Sequence, residues 1–172
     1  MSDTLITVVA IALAAVLMFV FPLMTMSDRT DDVSQLTVET ATTEFVDEIR
    51  TTGKITQDKY SKFLEAIGST GNTYNVEMEV KVLDENPGKK STQATRDKIG
   101  ENVYYSLYTS QIEEKLKNGT YNLKEGDIVS VNVKNTNQTL SQQLKNFFYT
   151  VTGKDTYTIA ASHGGIVTAT GK

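Results

Sequence analysis

The chain has 172 residues, 39% hydrophobic and 22% charged, with a formal net charge of -4. No basic stretch forms an electrostatic footprint for DNA or RNA, so nucleic acid is not an expected partner. Cysteine is absent, which excludes disulfides, thiol catalysis and cysteine-ligated metals.

From Thr4 to Met26 the chain carries no charge. As a helix this run would span roughly 35 Å, slightly more than a hydrocarbon core of about 30 Å. A signal peptide has a shorter apolar region of about 7–15 residues behind a basic start. Here the start is Met-Ser-Asp, and no small-x-small cleavage site precedes Ser27. The run is therefore expected to be retained, with residues 1–27 as a single transmembrane helix. Pro22 lies inside it and is expected to bend the helix or weaken one turn. Ala10, Ala12, Ala14 and Ala15 are its smallest side chains, and Ala10 and Ala14 lie four apart on one face, the spacing at which small residues let helices approach closely. Arg29 is the one basic residue close to either end, and alone it favours an internal location for the large part.

Residues 28–52 continue the stem as an amphipathic helix. Val33, Leu36, Val38, Ala41, Phe45, Val46 and Ile49 recur at steps dominated by three and four, while Glu39, Glu44, Asp47 and Glu48 keep the other side wet. Gly53 is expected to end the helix. One continuous helix would run about 70 Å; a break at Ser27–Asp32, where Ser, Thr and Asp can cap a new helix, is the alternative.

Residues 53–172 read as a small α+β domain. Asp58–Ile67 places Tyr60, Phe63, Leu64 and Ile67 on one helical face. Asn75–Leu83 alternates: Val76, Met78, Val80 and Val82 point one way, Glu77, Glu79 and Lys81 the other, as in a strand with one wet face. Asp84–Gly100 reads as an exposed loop. Ser106–Asn118 suits a helix with Leu107, Ile112 and Leu116 inward and Gly119 after it. Asp127–Lys134 is a second alternating strand, Thr139–Thr150 a short helix, and Thr156–Ala161 a third strand. His163-Gly164-Gly165 is expected to make a bulge or turn, with Ile166–Thr170 continuing or folding back. The sum is a small sheet of about three strands with helices covering one face.

Sites of chemistry are sparse. Gly88-Lys89-Lys90-Ser91-Thr92 lacks the first glycine of a phosphate loop and has lysine where Ser or Thr should meet magnesium; it reads as a solvated loop, and Gly153-Lys154-Asp155 likewise. His163 is the only histidine. With no Gly-x-Ser-x-Gly elbow and no cysteine it reads as strand punctuation rather than a catalytic base or zinc ligand. Glu77 and Glu79, about 7 Å apart on one strand face, have Lys81 beside them and read as a wet sheet face rather than a carboxylate pair. Tyr104, Tyr105 and Tyr108 read as core and rim packing rather than a ligand surface. No catalytic residue, cofactor or metal is expected.

A retained apolar helix with an internal proline, running into an amphipathic helix and then a small α+β domain, resembles the type IV pilin-like proteins. The stretch GDIVSVNVKNTNQTLSQQLKNFFYTVTGKDTYTIAASHGGIVTATG resembles the TadE-like minor pilins of tight-adherence pili. Those proteins have a Gly-Asp-led alternating strand, a Leu- and Phe-rich short helix and a Thr/Ala-rich final strand. ETATTEFVDEIRTTGKIT, with the Gly-Asn-Thr-Tyr strand entry, is similar to uncharacterised single-pass proteins of Gram-positive bacteria linked to such machinery or to conjugative elements. The basic leader ending in glycine and the early glutamate of prepilins have no counterpart here. The resemblance implies a structural subunit of a Tad-like pilus, secretion or conjugation apparatus. Its domain would lie outside the cell membrane, its partners would be the membrane and other pilin-like subunits, and it would assemble through the face of Ala10 and Ala14 near Pro22. A membrane-anchored extracytoplasmic binding module is the alternative.

Overall fold

The computed structural model describes residues 2–84, 104–117, 119–149 and 158–172. Helix α1 runs unbroken over Ser2–Thr52. The potential caps near residue 27 do not start a new helix. Instead Thr30 Oγ1 donates to the Met26 carbonyl (3.1 Å) and Ser34 Oγ to the Thr30 carbonyl (2.9 Å), which satisfies both hydroxyls on the helix's own backbone. Pro22 sits within the helix without ending it; having no N–H, it leaves the Met18 carbonyl without its usual donor. Gly53 ends α1 with φ of 64°. A Cβ there would lie 2.2 Å from the Ala169 carbonyl oxygen, so the C-terminal tail packs directly on this glycine.

After α1 come β1 (Lys54–Thr56), α2 (Gln57–Gly68), β2 (Tyr74–Leu83), β3 (Tyr104–Tyr108), α3 (Thr109–Leu116), β4 (Thr120–Asn122), β5 (Ile128–Asn135), α4 (Leu140–Tyr149) and β6 (Ala160–Ile166). The main sheet is antiparallel with order β3-β2-β5-β6, and β1 pairs separately with β4. The layout is α+β, as expected, with four strands in the main sheet rather than about three. Its inner face carries Met78, Val80, Val129, Val131 and Val133, which pack with Val38, Phe45, Val46 and Ile49 of α1, Phe63 and Ile67 of α2, and Ile112 and Leu116 of α3 in one core. Phe45 stacks on Phe63 at 4.6 Å between ring centroids.

Several expectations are corrected. Ser106–Asn118 is not one helix: Tyr104–Tyr108 is a strand paired with β2, and the helix starts at Thr109. Leu107 does pack on the core, but as a strand residue opposite Val80. Thr109 makes the switch, its hydroxyl accepting the Met78 N–H at 2.7 Å. His163-Gly164-Gly165 is no turn; it lies inside β6, opposite Val131, Ser130 and Val129. The Arg50 side chain lies across the strand, 2.6 Å from where a Gly165 Cβ would sit, and a Gly164 Cβ would lie 2.9 Å from the Val129 carbonyl oxygen. Leu64 is exposed on α2. Val33 and Leu36, read as part of the domain-facing stripe, are 63% and 64% exposed. Val38, Phe45, Val46 and Ile49 are buried as expected, and the buried side is completed by Ser27, Asp31, Ser34 and Thr42, at steps of three and four along Ser27, Asp31, Ser34, Val38, Thr42, Phe45 and Ile49. The loop expected over Asp84–Gly100 lies outside the described residues from Glu85 onward, as do Thr156 and Tyr157 of the third expected strand.

The Gly-Asp pair before β5 is structural. Gly126 turns with φ of 96°. The buried Asp127 carboxylate accepts the N–H groups of Leu83 and Lys124, each at 2.8 Å, and its backbone carbonyl accepts Val167 N–H at 2.7 Å. Asp127 thus ties the end of β2, the turn and the tail after β6. Asp127→Ala should leave two N–H donors without an acceptor and cost about 3 kcal/mol. Urea unfolding of the full chain in detergent, followed by circular dichroism, checks this through the midpoint.

Candidate functional site

Of the described residues, those on α1 from Asp3 to Met26 are exposed except Val20 and Met24, which are half-buried. The helix is long and apolar enough to cross a membrane. Ala10, Ala14 and Pro22 all lie on its open surface.

Because α1 is continuous, its faces can be followed from the domain into the apolar half at about 100° per residue. Val20, Met24, Ser27, Asp31 and Ser34 share the domain-facing side. Met26, 69% exposed, and Val33 and Leu36 lie roughly opposite, in line with Phe19 and Pro22 below them. Ala10 and Ala14 lie on a flank between these two faces, about a quarter turn from each. The three residues singled out for packing are therefore not on one face: Ala10 and Ala14 pair, while Pro22 belongs to the stripe of Met26 and Val33. That stripe escapes a sequence reading because Val33 and Leu36 also fit a helical core pattern; only the buried Ser34 and Thr42 fix the phase. Thr42 is buried at no polar cost, since its hydroxyl donates to the Val38 carbonyl at 2.6 Å.

Where the apolar run ends, α4 is strapped to α1. Thr139 Oγ1 donates to Asp31 at 2.6 Å, Ser141 Oγ donates to Asp28, and Lys145 Nζ lies 2.5 Å from Asp28. Thr139 also caps α4 reciprocally with Gln142: the Gln142 N–H donates to Thr139 Oγ1 at 3.2 Å and the Thr139 N–H to Gln142 Oε1 at 3.1 Å. Burial opposes ionisation of Asp28, but the hydrogen bonds from Lys145 and Ser141, with the lysine charge, outweigh it and hold the carboxyl below its ordinary value. This polar collar was missed in the sequence, where the acidic cluster read only as the end of the span.

Farther along α1, Asp47 accepts from Arg50 at 2.7 Å and lies 3.4 Å from His163 Nε2. The His163 contact, then the Arg50 contact, lower the Asp47 carboxyl below its ordinary value against a desolvation cost. His163 thus links α1 to β6. Among the described residues no three His, Asp or Glu side chains gather to hold a metal. Glu77 and Glu79 lie on the open sheet face, accepting from Asn75 and Ser106 at 3.1 and 2.8 Å. Tyr104, Tyr105 and Tyr108 are exposed along edge strand β3. The segments Gly88–Thr92 and Gly153–Asp155 lie outside the described residues.

No family model, curated protein or solved structure matches the chain.

A depressed acid stabilises above its unfolded value, about 3.9 for Asp, and that contribution is lost as pH falls through the lower folded value. The collar should therefore be intact at neutral pH and weaken only in acid below about 3.9. Asp28→Ala should raise amide hydrogen exchange of α4 at neutral pH while leaving β2 and β5 protected. Mass spectrometry of exchanged full-length protein in detergent reads both regions at once.

Proposed function

We propose that this protein is a structural assembly subunit: a pilin-like, single-pass membrane protein that packs through α1 with neighbouring subunits of a Tad-like pilus, secretion or conjugation apparatus. In this reading residues 1–27 lie in the cell membrane or the filament core, and the α+β domain lies outside. The observation that carries the reading is the stripe of Met26, Val33 and Leu36, on the side of α1 facing away from its own domain. Met26 can meet lipid. Val33 and Leu36 lie roughly 10–15 Å beyond Ser27 along the helix and would stand in water unless another chain covers them. A passive anchor has no use for large apolar residues there, whereas a neighbouring helix running parallel to α1 would cover them and the lipid-facing residues below in one continuous seam.

A second reading, a membrane-anchored binding module, is favoured by a different observation. Beside the start of α3 the sheet holds a shallow groove of ≈ 500 Å³ lined by Asn75, Glu77, Glu79, Tyr108, Glu113 and Asn132 among others.

Crosslinking in cells separates the two. Ala10→Leu with Ala14→Leu should leave membrane insertion intact and reduce oligomer ladders, because bulk on that flank holds helices apart. Val33→Lys with Leu36→Lys should also keep the protein in the membrane fraction and reduce the ladder, because neither side chain contributes to the domain core. Ladders unchanged in both double variants would reject α1 as the assembly surface. No ladder in the wild-type chain, with its partners expressed, would favour the binding module.

A further inference from the structure

Strand β2 outruns its neighbour on one side. It covers Tyr74–Leu83, and β5 pairs with it from Tyr74 to Lys81, whereas β3 pairs only with Glu79–Leu83. In an antiparallel ladder the N–H and C=O groups of successive residues point to opposite sides. Thr73 marks the β5 side, its carbonyl accepting the Thr136 N–H at 2.8 Å. Met78 marks the β3 side: its N–H donates to Thr109 Oγ1 at 2.7 Å, and the same hydroxyl donates to its carbonyl at 3.4 Å. The Thr109 side chain thus stands in for one more strand residue. Val76 and Tyr74, two and four positions before Met78, direct their backbone groups to that same side. There the chain has already left the sheet as α3, and among the described residues no strand pairs with them.

The groove of ≈ 500 Å³ beside α3 occupies this gap, reaching Val76 and Met78 of β2 and Thr109 and Ser110 of α3. Its lining also holds three carboxylates, Glu77, Glu79 and Glu113, and no Lys or Arg. Each accepts one neutral side-chain hydrogen bond, from Asn75, Ser106 and Tyr60 respectively, and none of the three is in an ion pair among the described residues. Lys81 and Lys134, on the same sheet face, do not line the groove. Unpaired backbone groups at a strand edge are a template for another strand. In a strand added there, the residue opposite Glu77 would lie on the same face, with its Cβ about 5 Å away, where an opposite charge stabilises the pair and a like charge opposes it. The backbone edge therefore selects an extended chain, and the carboxylates select a basic one.

We infer that β2 takes up an extended segment of a partner protein, bearing Lys or Arg, as a short added strand beside Tyr74–Val76. This rests on the groove serving as a binding surface, as in the second reading above, and does not depend on α1 packing with neighbours. The added ladder is short, so main-chain hydrogen bonds give a weak contact and the charge opposite Glu77 gives its selectivity.

Hydrogen exchange of the isotope-labelled full chain, read amide by amide by NMR in uncharged maltoside micelles, tests this in two steps. In the free chain the Tyr74 and Val76 amides should exchange several-fold faster than those of Asn75 and Glu77, which face β5. The peptide acetyl-Thr-Lys-Val-Lys-Val-Thr-amide at millimolar concentration should slow Tyr74 and Val76 several-fold, and the same peptide with Glu in place of Lys should not. Glu77→Lys, a change at an exposed side chain, should reduce the effect of the lysine peptide several-fold and leave the exchange of β5 unchanged. Tyr74 and Val76 as protected in the free chain as Asn75 and Glu77 would overturn the groove as a binding surface and this inference together. Protection that appears without peptide and grows with protein concentration would assign the edge to a second copy and overturn the basic partner. Fast exchange in the free chain that neither peptide slows, or that both slow alike, would overturn the basic partner alone.

Discussion

Everything in the molecule hangs on the continuity of one helix. Because α1 passes from Ser2 to Thr52 without a break, the rotation of its apolar half is set by the packing of its amphipathic half. Val38, Phe45, Val46 and Ile49 lock into a core built on the sheet, and removing any of these side chains would cost several kcal/mol. The face shown at Ala10 is therefore as determined as the face shown at Ile49, although nothing in the described structure touches Ala10. A hinge at residue 27 would have removed that coupling and left the two halves free to rotate independently.

The sheet depends on the same helix in a second way. Strand β6 is an edge, and exposed edges recruit other strands. The Gln35 amide bonds both backbone groups of Ala160, accepting its N–H at 3.0 Å and donating to its carbonyl at 2.7 Å. At the other end Arg50 Nε donates to the Ile166 carbonyl at 3.1 Å, and the Arg50 carbonyl accepts the Thr168 N–H at 2.9 Å. Helix α1 thus closes β6 at both ends, with the Arg50 side chain lying over Gly165. The opposite edge, β3, carries the three exposed tyrosines and has no such cover among the described residues.

The legibility of the sequence follows from how many residues shared each signal. The long helix, β2 and β5 were readable because each repeats its pattern over many positions: an uncharged run, or strict alternation with a period of two. Strands β1 and β4 have three residues each, too few for any period, and exist because Ile55 is wholly buried and each strand supplies the other's partners. Ser106–Tyr108, the end of β3, reads as helix because Ile112 and Leu116, four apart, set a helical pattern that is easily extended back to Leu107, although Leu107 lies five before Ile112. The collar could not be read at all. Asp28 and Asp31 meet residues more than a hundred positions away, and nothing local distinguishes a carboxylate awaiting Thr139 from one facing water. The outward stripe was visible as residues but not as a direction, since helical phase depends on which of several small polar side chains the core accepts.

In the proposed assembly the two halves of α1 would be held by different forces. Inside the bilayer lipid tails are as apolar as a neighbouring helix, so only close packing distinguishes them, and small residues such as Ala10 and Ala14 matter for the approach they permit. Outside it water drives the contact. Val33 and Leu36, each nearly two-thirds exposed, would contribute roughly 1–2 kcal/mol apiece on burial, too little to bring two free proteins together against the loss of rotational and translational freedom. Subunits confined to one membrane by α1 have already lost much of that freedom. A weak apolar seam then suffices, and because it is weak it would let a subunit remain in the membrane until neighbours are close. The same reasoning explains why the stripe is short: a longer one would be a patch large enough to aggregate the domain before it reached its place.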